Sequence, residues 1–152
     1  LGAATDGVDG FTELDGAAGV AVWVSGGSTY AIVASITDDG VQVINVTDPS
    51  NLVALGAATD GANGFTELDG AFDVDVWVSG GSTYAIVASI TDDGVQVIDV
   101  TDPSNLVALG AATDGVDGFT ELDGAAGVAV WVSGGSTYAI VASTIDDGVQ
   151  VI

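Results

Sequence analysis

The chain has 152 residues, of which 22 are Asp or Glu and none is Lys, Arg or His, giving a formal net charge of −22 at pH 7. This balance excludes basic patches for nucleic acid or anionic membrane surfaces, and no side chain can form a salt bridge. Every carboxylate must therefore be met by hydrogen bonds, water or a bound cation, and without Cys, His or Lys there is no disulfide, thiolate, common triad or Schiff-base chemistry.

The sequence is one 54-residue unit written almost three times. LGAATDG opens at Leu1, Leu55 and Leu109; the first and second copies differ at six of 54 positions, the first and third at two of 44. A fixed period near 50 residues indicates stacked supersecondary units, so the chain divides into repeats at 1–54, 55–108 and an incomplete 109–152. Both ends fall inside a repeat, as expected of a processed product or a window on a longer array. Apolar content and positive mean hydropathy argue against disorder. No apolar run approaches the ~20 residues of a membrane span.

In chain order, Leu1–Ala4 reads as the tail of a fourth strand, and Thr5 to about Gly16 as a long acidic, Gly-rich connection. Val20–Val24 is apolar and β-branched. Ser25-Gly26-Gly27-Ser28 is a hairpin turn, followed by a strand over Thr29–Ser35. Asp38-Asp39-Gly40 is the next turn, with Gly40 expected at positive φ. Val41–Val46 is a third strand, ended at Thr47-Asp48-Pro49 because Pro offers no ladder donor. Leu52–Ala58 is the fourth. Gly interrupts every 3.6-residue pattern, so no helix is expected. Val20, Val22 and Val24 lie on one strand face and Ala21 and Trp23 on the other, so both faces are apolar, as a sheet sandwiched between neighbouring sheets needs. The expected fold is all-β, with tandem four-stranded antiparallel blades in a β-propeller-like arrangement. A β-solenoid or an open stacked-sheet fibre is the alternative.

The third strand and its turn, Asp39-Gly40-Val41-Gln42-Val43-Ile44-Asn45-Val46-Thr47-Asp48-Pro49-Ser50-Asn51, resemble the LVIVD repeat of bacterial and archaeal secreted or surface proteins. Asp93-Gly94-Val95-Gln96-Val97-Ile98-Asp99-Val100-Thr101-Asp102-Pro103-Ser104-Asn105 is closer still, and Thr83–Ala88 is similar to the family's preceding strand. The resemblance implies a propeller-like architecture and an extracellular or cell-surface setting. It supplies no catalytic site, and Asn45 departs from the motif's Asp.

The acidic connection carries the candidate ligands. Asp6, Asp9, Glu13 and Asp15, with Asp60, Asn63, Glu67 and Asp69 and then Asp114, Asp117, Glu121 and Asp123, offer hard oxygen donors of the kind Ca²⁺ takes in sets of six to eight. Set against that reading is a solvated turn whose Asp side chains cap backbone amides. Asn45-Val46-Thr47 is a glycosylation sequon, set against an ordinary strand-end amide. Trp23, Trp77 and Trp131 are sugar-stacking candidates, set against core aromatics. Asp38-Asp39 reads as turn chemistry before it reads as an acid/base pair. In the second repeat Ala18, Gly19 and Ala21 become Phe72, Asp73 and Asp75, and two carboxylates on one strand face require exposure or a partner.

The resulting expectation is a non-enzymatic structural module of an extracellular assembly, self-associating head-to-tail or by edge strands, with divalent cations as further partners and no nucleic acid or membrane insertion. A calcium-dependent adhesion or carbohydrate-binding propeller competes with it, with glycan as ligand. An acid-only glycosidase stands third, because near-identical copies argue against one specialised site.

Overall fold

The computed structural model describes all residues, 1–152, and it is built of strands alone. The first sheet holds β1 (Ala17–Ser25), β2 (Ser28–Ser35), β3 (Gly40–Asn45) and β4 (Val53–Thr59). The second holds β5 (Ala71–Ser79), β6 (Ser82–Ser89), β7 (Gly94–Asp99) and β8 (Val107–Thr113). The third has β9 (Ala125–Ser133), β10 (Ser136–Ser143) and β11 (Gly148–Val151). Each is an antiparallel meander in chain order, so the four expected strands are present in the first two sheets and three in the third, displaced by at most three residues at their ends. No helix is long and apolar enough to cross a membrane.

Local chemistry explains the meander. Gly26 and Gly27 both take positive φ, at 59° and 82°, and the Ser25–Ser28 pair closes a two-residue loop of the type whose twist matches its strands. The turn at Asp38-Asp39-Gly40 differs from expectation. Asp39 is the residue at positive φ (54°), a conformation Asp tolerates, and Gly40 is not. Gly40 is required by crowding instead: a Cβ there would stand 2.3 Å from the Ala58 carbonyl oxygen and 2.5 Å from Glu13 Oε2. Leu1–Ala4 forms no strand. Its Gly2 N–H donates to Pro49 O at 2.7 Å, the contact that Gly56 of β4 makes with Pro103 of the second sheet.

The sheets stack face to face with β1, β5 and β9 side by side at the inner edge. One core lies between sheets one and two, where Trp23, Ile32, Ala34, Val41 and Val43 meet Leu68, Ala71, Val74, Ala85, Val87 and Ile98. A second lies between sheets two and three, with Ile86, Ala88 and Val95 against Leu122, Ala125 and Val141. The middle sheet is thus buried on both faces, as two-sided apolar strands demand. The third sheet has no neighbour beyond it, and the effect shows in equivalent tryptophans: Trp23 is 6 % exposed and Trp131 40 %. Each Trp also lies 5.4 Å from its cross-strand Tyr: Tyr30, Tyr84 or Tyr138.

Leu68 is fully buried between the first two sheets, whereas Val22 is exposed on the outer face of β1. Leu68→Ala should cost about 2–5 kcal/mol in urea unfolding, through lost burial and the cavity left. Val22→Ala should stay within about 0.5 kcal/mol of wild type. Equal losses would contradict this sheet order.

Candidate functional site

The long connections and the β2–β3-type turns meet at one end of each sheet, and most of the carboxylates are there. The sequence folds this way because each connection has backbone amides to satisfy and each turn supplies acidic acceptors. Asp69 N–H donates to Asp92 Oδ2 at 2.8 Å and Leu68 N–H to Asp60 Oδ1 at 3.1 Å. Asp39 reaches across from the first sheet, and its Oδ1 accepts from Gly70 N–H at 3.0 Å. Asp39, Asp60, Asp69 and Asp92 are therefore gathered from two sheets at one junction, all half-buried. The arrangement recurs at the next junction. Asp93 accepts from Gly124 N–H at 2.9 Å, Asp146 from Asp123 N–H at 2.9 Å and Asp114 from Leu122 N–H at 3.1 Å. A carboxylate that accepts amide hydrogens is held in place without any cation.

Crowding alters proton affinity here. Burial first, then the neighbouring Asp60 and Asp69 charges, pushes the Asp92 carboxyl above the usual aspartate range against the opposing bond from Asp69 N–H. Burial, then Asp39, does the same for Asp69, and burial, then Asp93, for Asp123. Beneath these lie Glu13 and Glu67, each 9 % exposed. Glu67 Oε1 accepts from the Thr113 hydroxyl at 2.7 Å, and Glu13 Oε1 accepts from Thr59 at 2.8 Å. The second oxygen of each is buried with no partner. Burial raises both carboxyls; the threonine bond opposes the rise and nearby aspartates add to it.

The candidate ligands are thus distributed among separate tasks. Asp6, Asp60 and Asp114 accept from Leu14, Leu68 and Leu122 amides. Asp9, Asn63 and Asp117 occupy positive-φ turn positions at 52–53°, exposed to solvent. Glu13 and Glu67 turn inward, and Glu121 lies against Gly148. Asp15, Asp69 and Asp123 donate their amides to Asp38, Asp92 and Asp146. No three of the chain's carboxylates are arranged to hold a metal ion. Asn45 Oδ1 accepts from Thr47 N–H at 2.9 Å, and Asp99 makes the same bond to Thr101 at 2.8 Å, so both residues close a turn.

Two sets of site residues escaped the sequence reading. Gln42 is fully buried, accepts from Thr12 N–H at 3.1 Å and donates to Gly56 O at 3.0 Å, filling the bulge between β3 and β4; Gln96 repeats this. A polar residue inside the run Val41–Ile44 was the available signal. Asp39 and Asp93 as cross-sheet acceptors left no signal, because Asp-Asp-Gly is already complete as a local turn.

No protein-family model matches the chain, and no curated protein matches it. Solved structures do. The GH43_1 enzyme from Xanthomonas citri, also solved in complex with xylotriose and with xylose, superposes with a TM-score of 0.60 at 16 % identity, over 90 % of this chain and 43 % of that one. A thermostable family-43 glycoside hydrolase gives 0.62 at 14 % identity, over 83 % and 41 %. A protein of unknown function from Desulfotomaculum acetoxidans gives 0.61 at 14 % identity, over 90 % and 41 %. The chain spans about two-fifths of the length of these neighbours, and the likeness is one of fold: stacked propeller blades.

This finding corrects the expectation of a non-enzymatic, self-associating structural module. The blade architecture on which it rested is that of glycoside-cleaving propellers, so it carries no argument for a passive scaffold. Nor does near-identity of repeats exclude a specialised site. Each junction draws carboxylates from two sheets, and identical blades still form a compound site where they meet.

Glu67 titrates above its unfolded range, so the stability it contributes is fully present below the unfolded value of 4.5 and is lost as pH rises through the folded value. Glu67→Gln keeps the Thr113 contact and removes the buried charge. It should raise the melting temperature at pH 7 and flatten the gain wild type shows on acidification towards pH 4, as read by calorimetry. A variant as pH-dependent as wild type would place the buried charge elsewhere.

Proposed function

We propose that this chain is part of a carbohydrate-active propeller, and that its acidic end receives a glycan and cleaves a glycosidic bond there. The observation that carries the reading is the junction at Asp39, Asp60, Asp69 and Asp92: carboxyls from two blades, three of them (Asp39, Asp60 and Asp92) held by backbone amides, and two, Asp69 and Asp92, with raised proton affinity. Glycoside cleavage uses a pair of carboxyl groups, one of which, with its proton affinity raised, serves as the acid. Asp92 gives its proton to the leaving oxygen as the bond to the anomeric carbon breaks. The neighbouring carboxylates stabilise the positive charge developing on the sugar. Water adds to that carbon and its released proton returns to the cluster, which holds the same number of protons before and after. Hydroxyl-rich ligands also suit a surface of acceptors without cations. Xylose-containing oligosaccharides are the first substrates to try, since the Xanthomonas citri neighbour was solved with xylose and xylotriose. An extracellular setting, expected from the repeat resemblance, fits a polysaccharide substrate.

The test is release of xylose from xylotriose at pH 4–7, alongside calorimetric binding. Slow release is expected, falling by a factor on the order of 10²–10⁴ in Asp92→Asn, with binding of xylotriose retained. Neither binding at millimolar sugar nor release at any pH would reject the proposal.

A further inference from the structure

The second repeat departs from the other two on its innermost strand, and the structure gives that departure a partner. Asp73 and Asp75 stand where the first repeat has Gly19 and Ala21 and the third has Gly127 and Ala129. Asp73 Oδ2 accepts from Val128 N–H at 3.0 Å and Asp75 Oδ2 from Val130 N–H at 2.7 Å, both on β9 of the third sheet. The other oxygen of Asp75 accepts from Val76 N–H of its own strand at 2.8 Å, so one carboxylate bridges two inner strands. These are amides that an inner-edge strand leaves outside its own ladder, and an unmet half-buried amide is costly.

The opposite side of the same strand has its own requirement. A Cβ at Gly19 would fall 2.6 Å from Asp73 Cα, 2.8 Å from Phe72 O and 2.9 Å from Asp73 Oδ1. The first sheet therefore meets the second only because Gly19 has no side chain. The equivalent Gly127 is not crowded, since its Cβ would meet only Ala142 Cβ at 3.6 Å. Neither glycine takes positive φ, so the difference is one of contact alone.

We propose that Asp73 and Asp75, together with Gly19, are a blade-order key: the inner edge of a Gly-x-Ala strand fits an Asp-x-Asp strand, and this pairing decides which repeats stand side by side. Repeats that differ at two to seven positions are otherwise interchangeable in their cores, so wrong pairings of sheets would bury equivalent surfaces. Three of the second repeat's six differences from the first, Phe72, Asp73 and Asp75, fall on the inner-edge strand, where neighbouring sheets touch. Backbone amides of the third sheet recognise the carboxylates of the second, and the missing side chain of the first admits its backbone.

Two measurements decide the matter. In Asp73→Gly/Asp75→Ala, which restores first-repeat residues, hydrogen exchange at Val128 and Val130 should accelerate about tenfold or more, while ladder amides such as those of Ile86 and Val95 stay protected. Unchanged exchange at Val128 and Val130 would overturn the proposal. Should the double variant not fold, two single glycine variants still discriminate. Gly19→Ala should lower the melting temperature by several degrees and Gly127→Ala should leave it unchanged or raise it. Equal responses to the two substitutions would show that the inner edges are not keyed.

Discussion

A carboxylate accepting a backbone N–H is the interaction on which this molecule depends. With no cationic side chain anywhere, the usual partner of an aspartate does not exist, and self-repulsion among 22 acids opposes the compact state. The fold answers by pairing acids with amides that would otherwise be orphaned. Asp6, Asp60 and Asp114 cap leucine amides inside their own connections, Asp38 and Asp92 cap the next residue's amide, and Asp39 and Asp93 cap glycines in the following sheet. The Asp39 and Asp93 bonds also link neighbouring sheets, beside the apolar cores that lie between them.

Capping brings acids close to one another, and that closeness has chemical consequences. Where several half-buried carboxyls share a junction, at least one retains its proton more firmly than in water, as Asp69, Asp92 and Asp123 do. At the surface the opposite holds: Asp48, met by the Ser50 hydroxyl and then its amide, is shifted down. One residue type thus spans both directions within a repeat, set by burial and by what donates to it. The fold on which this end surface sits is shared with glycoside hydrolases.

Much of the architecture was legible in the sequence. Runs such as Thr29–Ser35, bounded by Gly and Asp, give strands directly, whereas the two apolar faces of Val20–Val24 find a neighbour on one side only: Trp23 is buried while Val20, Val22 and Val24 are exposed. Turn chemistry was less secure. Gly40 looks like a positive-φ glycine and is instead a glycine of close approach, because the φ > 0 position had already been taken by Asp39. The site was largely illegible. Asp6, Asp9, Glu13 and Asp15 are neighbours along the chain, yet one caps an amide, one sits on an exposed turn and one faces inward. The acids that do gather, Asp39, Asp60, Asp69 and Asp92, come from two repeats, and Asp39 and Asp92 stand 53 positions apart. Asp73 and Asp75 announced that they needed a partner, but strand alternation says nothing about which amides a neighbouring sheet will present.

Carboxyl-carbon NMR titration of the intact chain tests the central claim most directly, since it reads each acid where it sits. The account predicts dispersed titrations, with Glu13, Glu67, Asp69, Asp92 and Asp123 protonating above the ordinary range of their residue type and Asp48 below it. A single cluster of ordinary values, indistinguishable from the unfolded chain, would contradict it and leave the junctions held by apolar packing alone.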